Sequence, residues 1–230
     1  MSNARSNREI ASTMTTVAGV AAAVAVLSSV RTAKAITPAL KYSDIPGTGD
    51  VKVLNYALAL EQLEADLYAQ ALLRLQGGGT NGVGKTIPGL NVASTERDVV
   101  LIKAFAVVEV QHRDFLTAAL KAAAIKPFKY DFAIETKSRQ QVLDLVILAE
   151  QTGVGAYLGA ISLLATRQYL QIAGAIQGTE ARHTAVLSEA ANLLFNEGLN
   201  VAPPASSNNG RDLPVDPDTV LGSVSPFIVA

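Results

Sequence analysis

A chain of 230 residues with 49% hydrophobic content is long enough for one domain with a substantial core, with room for tails. A formal charge of -1 without a long basic run removes the electrostatic footprint of a nucleic-acid binder. The absence of cysteine removes disulfides, thiolate metal sites and thiol nucleophiles. Aromatics make up only 5% and Trp is absent, so Ala, Leu and Val must fill the core, which favours an all-α bundle.

The first segment, residues 1–35, reads as a signal peptide: Arg5 and Arg8, an apolar stretch from Val17 to Val30, then Ala33-Lys34-Ala35 before the cut. Ser6-Asn7-Arg8-Glu9-Ile10 resembles a degenerate twin-arginine signal, with Asn7 where the first Arg would stand. The apolar run of about 14 residues falls short of the ~20 that span a bilayer, which favours cleavage over the two competing readings, a retained membrane anchor and a frayed first helix. Cleavage removes a net charge of +3 and leaves -4, suited to a soluble protein in the periplasm or another extracytoplasmic space.

After a Pro- and Gly-marked lead-in, residues 36–49, the apolar spacing predicts four helices within residues 50–198. The first runs from Asp50 to Gln76 and stops at Gly77-Gly78-Gly79. The second starts at Ser94-Thr95, with Glu96 and Asp98 in its first turn, and runs to Ala124. The third covers Ser138 to Leu164 and the fourth Arg167 to Phe195. Residues 199–230 read as an extended C-terminal tail, rich in Pro, Ser, Asn and Asp over its first half. A short link joins the third and fourth helices, making them antiparallel. The segment Ile125 to Lys137, able to reach ~45 Å, is long enough to cross over between the second and third.

Both histidines of the chain lie three residues after a glutamate, in Glu109-Val110-Gln111-His112 and Glu180-Ala181-Arg182-His183. With ten glutamates in 230 residues, composition alone does not produce that pairing twice. Three-residue spacing puts both side chains on one helix face, able to grip one ion. The other two helices each offer a glutamate followed seven residues later by a tyrosine, Glu61 with Tyr68 and Glu150 with Tyr157, a pseudo-repeat. All four acids lie on apolar stripes with no Lys or Arg, and burying bare carboxylates there costs several kcal/mol each. Two divalent metal ions, iron or manganese, would balance the four carboxylates, with His112 and His183 as neutral ligands.

A Glu from each of two helices and E-x-x-H from each of the other two resembles the di-iron and di-manganese proteins of the ferritin-like superfamily. Leu60-Glu61-Gln62-Leu63-Glu64-Ala65-Asp66-Leu67-Tyr68 and Gly178-Thr179-Glu180-Ala181-Arg182-His183 are similar to the desiccation-related, ferritin-like domain proteins. The resemblance implies a ferritin-like four-helix bundle with a long crossover between helices two and three, and a metal site of Glu61, Glu109, His112, Glu150, Glu180 and His183. It implies oxygen or peroxide as the small-molecule partner, in ferroxidase, peroxidase or manganese-catalase chemistry, and it admits a homodimer. A non-enzymatic stress or envelope bundle, with a relic or purely structural metal site, is the rival from another class.

Tyr68 and Tyr157 either assist the metals from behind the ligands or are plain core tyrosines. Glu64, one turn from Glu61, is expected at the solvent edge of its stripe. Gly79-Thr80-Asn81-Gly82-Val83-Gly84-Lys85-Thr86 matches the phosphate-loop pattern by letter, but a helix precedes it where a strand is required and Ile87-Pro88-Gly89 follows where a helix is required. It is expected to be a flexible loop.

Overall fold

The computed structural model describes residues 39–203 and 205–229. The stretch expected to be a signal peptide, 1–35, lies outside them. Four long helices dominate: α1 (Gly49–Leu75), α2 (Arg97–Leu120), α3 (Arg139–Ile161) and α4 (Arg167–Phe195). The protein is an all-α bundle, as expected from the sequence, with four two-residue strands at its periphery among the described residues. α3 starts at Ser138, whose hydroxyl accepts from the Gln141 amide while the Gln141 side chain answers the Ser138 amide. α2 starts later than Ser94-Thr95 implied. Its N-cap is Glu96, whose carboxylate turns to Arg139.

Polar contacts at the ends of the helices fix their directions. Arg139, opening α3, donates from Nε and Nη2 to both carboxylate oxygens of buried Asp98, opening α2, at 2.8 and 2.7 Å. These two helices therefore begin at the same end. Asp50, near the start of α1, accepts the Ala165 and Thr166 amides in the α3–α4 turn at 2.7 and 3.0 Å, so α1 begins where α3 ends. Asn55 holds the other end of α2, donating to the Ala123 carbonyl at 2.9 Å and accepting the Ile125 amide at 2.7 Å.

The crossover then climbs the outside of α1. Gln70 donates to the Tyr130 carbonyl at 3.0 Å and Arg74 to the Lys137 carbonyl at 2.8 Å, one bundle length from Asn55. This cover explains why α1 is buried nearly all round, an arrangement expected only of a helix with neighbours on every side.

Two segments expected to lack structure are ordered. The glycine-rich loop is a hairpin of β1 (Gly79–Thr80) and β2 (Thr86–Ile87), in which the Asn81 side chain accepts the amides of Val83 and Lys85. Lys85 is paired with Glu135 and, at 3.4 Å, with Asp131, both on the crossover. The chain after α4, expected as an extended tail, contains a helical turn, Ala205–Asn208, and a further helix, α5 (Pro217–Val224). Asp216 caps α5 through the Thr219 amide at 3.0 Å, and Pro217 occupies its first turn, where no amide is needed. Val220, Leu221, Val224 and Phe227 enter the core, and β4 (Ile228–Val229) pairs antiparallel with β3 (Lys129–Tyr130) of the crossover. Full burial of Leu221 contributes about 1.5–3 kcal/mol, which outweighs the polar composition of the preceding stretch.

The returning chain crosses α3 at two glycines. The Val215 amide donates to the Gly155 carbonyl at 2.9 Å, and a Cβ on Gly159 would stand 2.0 Å from the Val215 carbonyl oxygen. Gly159→Ala is therefore expected to lift the returning chain while the bundle stays helical. Limited proteolysis should cut within 200–229 several-fold faster at unchanged circular dichroism, and an unchanged cutting rate would contradict this packing.

Candidate metal centre

The pseudo-repeat of α1 and α3 becomes a reciprocal exchange in the structure. The two helices run antiparallel, so Tyr68 of α1 donates its hydroxyl to Glu150 of α3, and Tyr157 of α3 donates to Glu61 of α1. Each tyrosine occupies Oε1 of its glutamate. Oε2 of Glu61 and of Glu150 is left buried without a hydrogen bond. From the other side, α2 and α4 bring their E-x-x-H pairs to the same level.

All six residues expected to be metal ligands meet in the middle of the bundle, the four glutamates fully buried. They form two overlapping groups, each with ligand atoms within 4.8 Å of one another: Glu61, Glu109, His112 and Glu180; and Glu109, Glu150, Glu180 and His183. Glu109 and Glu180 belong to both. Each group thus has one glutamate and one histidine of its own and two shared carboxylates, and each could hold a metal ion. His112 Nδ1 lies 3.0 Å from Glu109 and 3.4 Å from both Glu61 and Glu180. His183 Nδ1 approaches Glu109 Oε1 to 2.8 Å, yet neither atom makes a hydrogen bond of acceptable geometry. Both oxygens of Glu180 are likewise orphaned. Buried acceptors converging without donors fit a cation between them, since leaving them bare carries the full desolvation cost.

Burial and mutual repulsion push the Glu61 carboxyl up to about 8, and burial first of all raises Glu150 and Glu180 well above the usual range. Glu109 goes the other way: its burial acts to raise it, but the imidazoles of His112 and His183 beside it outweigh that and hold it low. His112 resists its own burial through Glu109, Glu180 and Glu61, which push it up to about 12. Without metal, the pocket balances its charge with protons.

Two residues of the site are not where the sequence suggested, or were not foreseen. Glu64 is buried, not at the solvent edge: it is 3% exposed and its Oε2 has no partner, because the crossover and the returning chain cover the side of α1 that periodicity assigns to solvent. Its Oε1 fills space left by Gly153, where a Cβ would stand 3.1 Å from it and 2.9 Å from Glu180 Oε2. Phe105 of α2 stacks on the His183 ring, centroids 3.9 Å apart and planes within 18°, fixing the imidazole in the pocket. Its place four residues before Glu109 puts it on the ligand-bearing face of α2, the one signal that could have found it.

A bundle with a long crossover, holding two E-x-x-H pairs and two further glutamates at one level, defines a class of helical carboxylate proteins able to bind metal ions. A family model described as a ferritin-like domain matches residues 49–193, and the chain belongs to that family. A comparison with curated proteins finds no match.

The protonation pattern gives a signed expectation. An acid raised from 4.5 to about 8 on folding, as Glu61 is, favours the metal-free fold below pH 4.5 and loses that contribution as pH rises through 8. His112, raised to about 12, acts in the same direction, while the contribution of Glu109 is already complete above pH 4.5. Metal-free protein should therefore melt lower at pH 8.5 than at pH 5.5. Added divalent metal should raise Tm more at pH 8.5, since it displaces fewer protons there. Calorimetry at the two pH values checks both signs.

Proposed function

We propose that the chain is an exported di-iron or di-manganese protein whose buried site reacts with dioxygen or peroxide, protecting its compartment against oxidative and desiccation stress. The observation that supports it most is the sharing of Glu109 and Glu180 between two ligand groups, which suits a pair of ions a short distance apart. Such ions, when bound, supply electrons to an oxidant. The protein's part is to hold them: Tyr68 and Tyr157 orient the two unshared glutamates, Phe105 orients His183, and the surrounding aliphatic core keeps water from the carboxylates. Iron and manganese both accept this ligand set. The sequence likeness to the desiccation-related group supports the stress role, and residues 1–35 support export.

A second reading is a non-enzymatic bundle. It is favoured by the hydrogen bonds already made inside the cluster, from both tyrosines and between His112 and Glu109 at 3.0 Å, which satisfy part of the network without metal. Turnover separates the two, since an enzyme consumes oxidant repeatedly.

Glu109→Ala and His183→Ala should each lose most bound metal and all oxidant consumption. Lys85→Ala, in the hairpin, should keep both, because its ion pairs are partly exposed and worth at most ~1 kcal/mol. Metal analysis by mass spectrometry on chelator-free protein is the check. Near two ions per chain in the wild type and Lys85→Ala alone supports the assignment, and full loading of both site variants overturns it.

A further inference from the structure

The bundle wraps one of its two layers and leaves the other bare. The crossover and the returning chain pack along α1 and α3. The outer side of α2 and α4 instead exposes Val100, Val107 and Phe115 from α2, and Val186 and Leu193 from α4. These are five of the nine large apolar side chains exposed among the described residues, so the exposure is gathered on one layer and not scattered. Helical spacing from the inward-pointing Glu109 and Glu180 agrees, since it puts all five on the far side of their helices.

The charges of this layer stand in opposite-signed pairs about one level. On α4, Arg182 and Glu189 are both exposed, make no ion pair among the described residues, and lie equally far on either side of the Ala185–Val186 peptide. On α2, Lys103 and Asp114 flank Val108–Glu109 in the same way along the outer edge, and Asp114 has only its sequence neighbour Arg113 as a partner. The two helices run antiparallel, with Phe105 stacked on His183 and His112 at 3.4 Å from Glu180, so the two midpoints fall within a turn of each other. A two-fold axis lying across both helices at that level brings Arg182 against Glu189 of a second copy, and Lys103 against its Asp114. The same rotation sets Leu193 over Gly178 of the second copy, where the missing side chain leaves open space.

We propose that the outer layer of α2 and α4 is the interface of a two-fold homodimer in which each of these helices packs antiparallel on its own counterpart. Opposite charges placed evenly about one point match the same surface turned over, which is what a second copy presents and an unrelated partner does not. The extent suits a stable dimer. α2, with 24 residues, is about 36 Å long, and two helices side by side are ~20 Å wide, giving ~700 Å² per copy against the ~800 Å² that a standard interface takes from each partner. The pairing requires no metal, so it stands or falls apart from the function proposed above.

Sedimentation velocity of the full chain at micromolar concentration is the test, and the wild type should run as a dimer. Leu193→Glu should weaken dimerisation at least a hundredfold at unchanged circular dichroism, because Leu193 is 61% exposed in the single chain and its loss leaves the core intact. Arg182→Glu should weaken it about tenfold by setting two pairs of like charges face to face, and adding Glu189→Arg should restore it, since the swap rebuilds the same pairs in reverse. A wild type that stays monomeric, a Leu193→Glu variant as dimeric as the wild type, or a double variant as weak as Arg182→Glu alone each overturns the proposal.

Discussion

Four carboxylates in a core of Leu, Ile and Val are the constraint on which the rest of this structure depends. Each of Glu61, Glu109, Glu150 and Glu180 is out of contact with water, and no Lys or Arg reaches them among the described residues. Such a group is tolerated only when protonated, hydrogen-bonded or met by a cation. The bundle supplies all the partners short of the cation: two hydroxyls crossing between α1 and α3, two imidazoles from α2 and α4, and protons where these do not suffice. The helix lengths, the crossover and the buried Asp98–Arg139 pair at the bundle's end serve to bring four acids from four helices to one level.

Much of this was legible because helical periodicity is a strong constraint on which side chains can meet. The three-residue spacing in Glu109/His112 and Glu180/His183, and the seven-residue spacing in Glu61/Tyr68 and Glu150/Tyr157, assign faces without reference to the fold. The length of 125–137 was enough to imply the crossover. What these spacings could not convey is which outer faces are covered. Glu64 lies at the margin of its stripe, and only the crossover and the returning chain, packed there by residues distant in sequence, take it out of solvent.

The C-terminal segment shows a different failure. Its composition is that of a tail, yet Asp216-Pro217 is a helix start, and Val220, Leu221, Val224 and Phe227 follow at spacings that put them on one face. Average polarity over the segment concealed a short amphipathic element inside it. The same holds for the hairpin at Gly79–Ile87, where a match to a phosphate-binding pattern reflects the turn chemistry of Asn81 and its neighbouring glycines.

The pairing of Glu64 with Gly153 breaks the twofold likeness of the two halves one turn from the ligands Glu61 and Glu150. Much of the centre is duplicated: each ligand group has an acid, a tyrosine and a histidine of its own and the same two shared carboxylates, although Phe105 on α2 is matched by Ile176 on α4. A fifth carboxylate on one side and an absent side chain on the other make the electrostatic environments of the two halves of the cluster unequal, so its two ligand groups would hold a cation with different affinities. The symmetric scaffold thereby gives the centre a direction.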